Sequence, residues 1–135
     1  MEVPLRAALL GWLSADPALC ARLNAVVEEA PSRTSLPWLA IAASASTDWS
    51  TKTHAGREVR IALELHCRGD APAAAGDLAA AIEARIANLP RAHDGFTIAS
   101  SRFLRARTEQ REESRRAILI EYAFRLLAPS TGDHA

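Results

Sequence analysis

The segment Glu58–Arg68 constrains the fold of this chain more than any other stretch, because apolar and polar residues alternate along it. Side chains of a β-strand point alternately to its two faces, so this pattern predicts a strand with one buried face and one solvent face. The apolar set comprises Val59, Ile61, Leu63, Leu65 and Cys67. The other set comprises Glu58, Arg60, Glu64, His66 and Arg68, so His66 is expected in solvent and Cys67 in the core.

Other elements follow from apolar spacing and from turn residues on either side. The predicted elements are a helix at about 4–15, a short helix after Asp16-Pro17, a strand buried on both faces at 36–43, a helix at 73–88, strands at 96–106 and 117–127, and a charged hairpin connection at 108–114. This order predicts an α+β fold, a mostly antiparallel sheet of about four strands with helices packed on one face. Two short N-terminal helices precede the sheet.

Length and charge limit the classes of protein that this chain can represent. Its 135 residues suit one domain, predicted at 1–128, followed by a flexible tail at 129–135. The formal net charge is zero, with 16 basic and 16 acidic residues, so no overall field draws the domain to nucleic acid or to an anionic membrane. No apolar run approaches the roughly 20 residues that cross a bilayer. The N-terminal residues lack a signal-peptide pattern, so reduced cysteines are expected.

A search for catalytic or binding motifs gives no constellation. The histidines and the two cysteines, Cys20 and Cys67, show no zinc-ligand spacing, and the glycines form no phosphate-binding loop. No local spacing pairs two carboxylates as a general acid and base. The sequence therefore predicts no catalytic residue, no metal and no cofactor, which is typical of a structural subunit rather than an enzyme.

Two surface segments are candidates for contacts with partners. The segment 102–116 carries six arginines and three glutamates, so it fits a self-paired charged turn, with contact to DNA phosphates as the alternative. The polar segment 46–56 carries one large aromatic residue, Trp49. Its ring either folds back onto the helices or anchors a neighbouring subunit, and the residues alone do not decide between these.

The order of residues from Leu36 onward resembles a known family. An apolar strand, Leu36-Pro37-Trp38-Leu39-Ala40-Ile41, precedes the loop Asp48-Trp49-Ser50-Thr51-Lys52-Thr53, and Gly56-Arg57-Glu58 then opens the alternating strand. This resembles the phage tail completion, or tail terminator, proteins found in phages, prophages and gene transfer agents. The resemblance extends through the alanine-rich helix and the arginine-rich hairpin to about residue 128. Ala42-Ala43 replaces a glycine often found there, and His66-Cys67 replaces a tryptophan.

The resemblance implies a subunit that assembles into a ring, typically a hexamer, which ends the tail tube and joins it to the head connector. Its partners would be copies of itself, the tail tube protein and the head-tail connector protein, with DNA passing through the ring without specific recognition. It would assemble in the cytoplasm and become part of a virion or gene transfer agent particle, with no membrane contact. The expected subunit interface comprises Asp48, Trp49, Ser50, Thr51, Lys52, Arg60, Glu64, His66 and Arg68.

Two other functions remain open from the sequence. One is another minor tail or head-tail connector protein, which would share the absence of catalytic residues and differ in the geometry of its oligomer. The other is a small nucleic-acid-binding domain that uses the arginines of 102–116, whose affinity would fall steeply with salt.

Overall fold

The structure is a computed structural model that describes residues 1–129. Its elements in chain order are α1 (Glu2–Ser14), α2 (Pro17–Cys20), β1 (Val26–Val27), β2 (Trp38–Asp48), β3 (Gly56–Arg68), α3 (Pro72–Ala87), β4 (Ala92–His93), β5 (Phe96–Arg111) and β6 (Arg115–Leu127). The predicted tail at 129–135 lies outside the described residues, apart from Pro129.

All the strands join one six-stranded sheet in the order β1-β2-β3-β6-β5-β4. β1 pairs with β2 in parallel, and the other neighbours are antiparallel. The predicted fold class, about four mostly antiparallel strands with helices on one face, is therefore wrong, because the sheet is a mixed, six-stranded half-barrel. The two additional strands, β1 and β4, have 2 residues each, which is too short to show an apolar period.

The strand bounds differ most from the prediction in β2 and β5. β2 continues to Asp48, and only its first three residues, Trp38, Leu39 and Ala40, are buried, so it is not a strand buried on both faces. β5 continues to Arg111, where a hairpin connection was expected from 108. β5 extends this far because it pairs with β6 up to the last pair, Arg111 with Arg115. Only a tight turn at 112–114 remains between the two strands.

The predicted long helices are confirmed to within one turn. α1 buries Leu5, Leu9 and Leu13 along one stripe, as their spacing predicts. α2 begins after Asp16, whose carboxylate accepts a hydrogen bond from the Ala18 N–H at 3.0 Å. α3 begins with Pro72 and buries Leu78, Ile82 and Ile86, among others.

The core lies between the helices and one face of the sheet, here called the inner face. Cross-strand pairs such as Leu63 with Ile120 and Ile61 with Tyr122 contribute to it from β3 and β6. α1 and α3 are joined by a reciprocal contact, in which the Trp12 indole donates to the Arg85 carbonyl at 2.7 Å. The Arg85 guanidinium donates to the Trp12 carbonyl and lies 3.4 Å from the Trp12 ring centroid. The opposite side of the sheet, here called the outer face, carries the charged residues of β3.

Candidate assembly surfaces

His66 lies on the outer face of β3, but it is buried, so the prediction of a solvent-facing histidine is wrong. Its ring stacks on Trp38, with 4.0 Å between centroids and 13° between planes. The cause is the pairing of β2 with β3, which sets Trp38 directly beside His66. Burial lowers the pKa of His66, although the hydrogen bond with Glu64 opposes this change. We therefore expect a neutral imidazole at pH 7.

Glu64 connects His66 on β3 to Arg111 on β5, across the outer face of the sheet. Its Oε1 lies 2.7 Å from His66 Nε2 and 3.3 Å from a guanidinium nitrogen of Arg111 on β5. The intervening strand β6 places Leu119 beside Glu64 and Ala117 beside Glu109, so an arginine side chain can reach across it. Glu64 is thus an internal partner of the outer face, with an 18% exposed side chain.

The arginines of 102–116 also pair within the molecule. Arg105 forms a close ion pair with Glu121 of β6, which holds the pKa of that carboxyl below its usual range. Arg107 and Arg111 contact Glu109 at 3.3 Å and 2.8 Å. These contacts agree with a self-paired charged segment, although the pairing runs along a strand instead of a turn. Exposed ion pairs of this kind contribute about 0–1 kcal/mol each.

The loop between β2 and β3, at 49–55, is here called the Trp49 loop. It holds the expected interface residues 49–52, and Asp48 precedes it as the last residue of β2. Within it, the Ser50 hydroxyl donates to the Asp48 carboxylate at 2.7 Å and accepts from the Gly56 N–H at 3.1 Å. The Thr51 N–H donates to the His54 carbonyl at 2.9 Å. These hydrogen bonds close the loop on itself, so it projects as an ordered hairpin tip whose Ser50, Thr51 and Lys52 are exposed.

Trp49 is half-buried and lies over the end of β6. The Arg125 guanidinium carbon is 5.2 Å from its ring centroid, which is a cation–π contact. Arg125 also forms an ion pair with Glu58 of β3 at 3.2 Å. Trp49 therefore packs on the charged end of the sheet and not on the helices.

Gly56 permits this placement. A side-chain β-carbon at this position would collide with the Trp49 carbonyl and would lie 3.0 Å from the Leu126 carbonyl oxygen. Only glycine lets the three backbone segments approach so closely.

The structure divides the predicted interface residues into two groups along β3. The Arg60 guanidinium lies 3.7 Å from the Glu58 carboxylate, which also pairs with Arg125. Arg60 therefore lies at the same end of the sheet as the Trp49 loop. Glu64, His66 and Arg68 lie toward the other end of the strand, and of these three Arg68 is the exposed one.

Sequence reasoning missed Arg125 and Glu58 as the residues that support Trp49. The signal was available in part, because an outward glutamate on one strand and an outward arginine on another are natural cross-strand partners. Their register, Glu58 beside Arg125, came only from the pairing of β3 with β6.

Two further findings concern metals and membranes. Among residues 1–129, no group of three or more His, Cys, Asp or Glu side chains could hold a metal ion. In the same part of the chain, no helix has the length and apolar character needed to cross a membrane. Both cysteines are free thiols, with Cys20 exposed and Cys67 buried.

Comparison with known proteins gives the family of the chain. No curated protein matches it. The fold is similar to that of a chain in the solved structure "Virion of native gene transfer agent (GTA) particle", with a TM-score of 0.77, 23% sequence identity, and coverage of 93% of this chain and 96% of that chain. The family model "Tail completion protein gp17" matches residues 7–126. The chain therefore belongs to the gp17 family of tail completion proteins and is a structural protein of a phage-type tail.

Proposed function

We propose that this protein forms a ring, a hexamer by its resemblance to tail terminators, that ends the tail tube and joins it to the head connector. Its partners are then copies of itself, the tail tube protein and the connector protein, and DNA passes through the ring without specific recognition. It assembles in the cytoplasm and becomes part of a virion or gene transfer agent particle. The role requires no chemical reaction and no cofactor.

One observation carries the proposal: the tail completion family matches 7–126, which includes most of the sheet and the helices α2 and α3. The similarity in fold to a chain of a gene transfer agent virion supports it, because that chain is matched along almost its whole length. A single domain at 1–128 is the unit that we propose to assemble.

The surfaces proposed for assembly are the Trp49 loop and the exposed arginines of the outer face, Arg60 and Arg68. The loop is ordered by its own hydrogen bonds, so docking a partner there costs little conformational entropy. Asp48, Ser50, Thr51 and Lys52 offer polar groups at its tip. His66 and Glu64 lie beneath this surface and support it, because His66 is buried and the Glu64 carboxylate pairs with His66 and Arg111.

The test is light scattering coupled to size exclusion, with the purified protein over a concentration series and with assembled tail tube protein added. A ring several times the 14.5 kDa subunit mass, alone or at the end of tubes, is the expected species. Tail tubes without the protein are the control, and electron microscopy would locate the added mass.

The outcomes separate the alternatives. A ring that binds tube ends supports the terminator role. An oligomer that does not bind tubes would indicate another minor tail protein or a head-tail connector protein instead. A monomer that binds neither tubes nor itself would overturn the proposal.

A further inference from the structure

The sheet has an open edge on each side over most of its length. On one side, β1 covers only Leu39 and Ala40 of β2. On the other, β4 covers only Phe96 and Thr97 of β5. Within residues 1–129, no strand pairs with the rest of either edge, which leaves 41–48 on β2 and 100–111 on β5. Such edges are ready templates for another strand.

The two open edges lie at the same height in the sheet. Following the register across β3 and β6, Thr47 is level with Ser100. By the same route, Ile41 is level with Ala106. The open part of β2 on one side of the sheet therefore lies at the same height as the open part of β5 on the other side. If two copies stand side by side, the β2 edge of one copy meets the β5 edge of the other.

The strand directions also fit such a contact. β2, β3, β6 and β5 are successively antiparallel, so β2 and β5 run in opposite directions. Copies related by rotation about an axis along the strands keep their directions. The β2 strand of one copy would then lie antiparallel to the β5 strand of the next, and each added copy would extend the same ladder.

Backbone donors point outward at both edges. The Trp49 N–H donates to Gly56 of β3 at 2.9 Å, so the alternating N–H groups of Ser44, Ser46 and Asp48 point away from β3. At the other edge, the Ile98 N–H points away from β6, to the Arg91 carbonyl at 2.8 Å. The side chains of these residues lie on the inner face in both strands. Ala106 also has an inner-face side chain, because it pairs with the buried Ile120, so its N–H likewise points away from β6.

Side chains at the two edges are complementary in size. On the outer face, the open part of β2 presents Ala43, Ala45 and Thr47, which are exposed and small. The outer face of β5 presents long side chains at the same height, including Arg102 and Arg105. Arginine stems of one copy could lie across the alanines of the next. The open part of β2 has no Lys, Arg or Pro to block an added strand.

The exposed apolar residues lie at these same edges. In the described chain, the large hydrophobic residues that are exposed are Val3, at 68%, and Phe103, at 46%. Phe103 lies on the inner face of β5, level with Ser44 through Tyr122 and Ile61. Arg6 donates to the Ser44 hydroxyl at 3.0 Å, and Val3 lies one turn before Arg6 on α1. The start of α1, which carries Val3, therefore lies by the β2 edge near Ser44, and Phe103 lies at the β5 edge level with Ser44.

We propose that the ring is built by edge-to-edge strand pairing, with β2 at 41–47 of one copy antiparallel to β5 at 100–106 of the next, and with Val3 covering Phe103 of the neighbouring copy. This rests on the proposed ring and specifies its contact. The occupant of each edge is a second copy of this chain, because the opposite edge of the same molecule matches it in height, direction and side-chain size.

The test uses proline at one outward donor on each edge. Ser46→Pro removes an N–H that points away from β3, and edge prolines of this kind are tolerated by the fold. Ser46→Ala is its matched control, since it loses the hydroxyl bonded to Arg57 but keeps the N–H. Ala106→Pro and its control Ala106→Ser do the same for β5. Circular dichroism checks that each variant is folded, and light scattering measures assembly with and without tail tubes.

We expect each proline variant alone to remain monomeric, while both controls form rings as the wild type does. A mixture of Ser46→Pro and Ala106→Pro should give dimers and no rings, because each dimer joins the one intact β2 edge to the one intact β5 edge. Val3→Asp provides a variant whose folding is not in question, since an acidic residue suits the first turn of a helix. It should weaken assembly at least about tenfold relative to Val3→Ala.

The failures are distinguishable. If the wild type forms rings and all variants form them equally well, edge pairing is overturned while the proposed function stands. If a proline variant does not fold, normal assembly of Val3→Asp would overturn the proposal by itself. If the wild type forms no ring, alone or on tubes, the proposed function and this inference both fail.

Discussion

The Trp38 indole covers the His66 imidazole on the outer face of the sheet, with the two rings 4.0 Å apart and nearly parallel. A histidine that the alternation assigns to solvent is thereby enclosed and bonded to Glu64. This contact connects β2 to β3 outside the main core, and it gives the domain a titratable group whose ionisation opposes folding.

We predict that stability falls with acidification partly through His66. Its pKa is lowered from 6.5 in the folded state, so the unfolded chain binds the proton more tightly. The free energy of unfolding contributed by neutral His66 is therefore fully present above pH 6.5 and is lost as the pH falls below that value. Arg111 and Arg115 add to this effect, and Glu64 opposes it.

His66→Gln removes the titration. Urea unfolding at about pH 7 and about pH 5 should show a smaller loss of stability in the variant than in the wild type. Equal losses in the two proteins would contradict the assignment to His66.

Trp49→Ala should weaken assembly and leave the monomer folded. The ring is half-buried against Arg125 and lies outside the core, so its loss should cost the monomer about 1 kcal/mol. Light scattering would report assembly, and circular dichroism the fold. Trp49→Phe is the control, because it retains an aromatic ring over Arg125. A variant that unfolds would show that Trp49 belongs to the core. A variant that assembles normally would show that the loop is not part of the interface.

Gly56→Ala should destabilise the domain by about 1–3 kcal/mol, because the new methyl group meets the backbone carbonyls of Trp49 and Leu126. Gly76→Ala is a matched control within α3, where a β-carbon meets no atom within 4 Å. It should stabilise the helix by about 0.5–1 kcal/mol. Thermal unfolding of the two variants would measure both signs, and a neutral Gly56→Ala would mean that the loop can move away from β6.

Ile120→Asp should unfold the domain. Ile120 is fully buried on the inner face of β6, beside Leu63, and an unpaired carboxylate there costs several kcal/mol, comparable with the total stability of a small domain. Thr97→Asp, at an exposed position of β5, is the control and should remain folded. A soluble Ile120→Asp protein with a native circular dichroism spectrum would mean that the inner face of β6 is assigned to the wrong residues.

Local patterns determined much of this fold. The alternation through β3 and β6 identifies the inner residues, such as Leu63 and Ile120, because a half-buried strand repeats every second residue. The leucine stripe likewise located α1 and its buried face, and the Asp16-Pro17 cap located the start of α2. The resemblance carried by the Trp49 loop and the strands beside it indicated the family.

Long-range pairing decided the rest. The short strands β1 and β4 exist only because longer strands pair with them, and β5 extends to Arg111 only because β6 pairs with it to that point. The burial of His66 depends on Trp38, and the support of Trp49 depends on Arg125, contacts between residues far apart in the chain. The sequence by itself determined the buried apolar faces of α1, β3 and β6, since hydrophobic periodicity is local. The tertiary structure alone decided which polar residues are covered and which sheet edges stay open, because both depend on strand order and register.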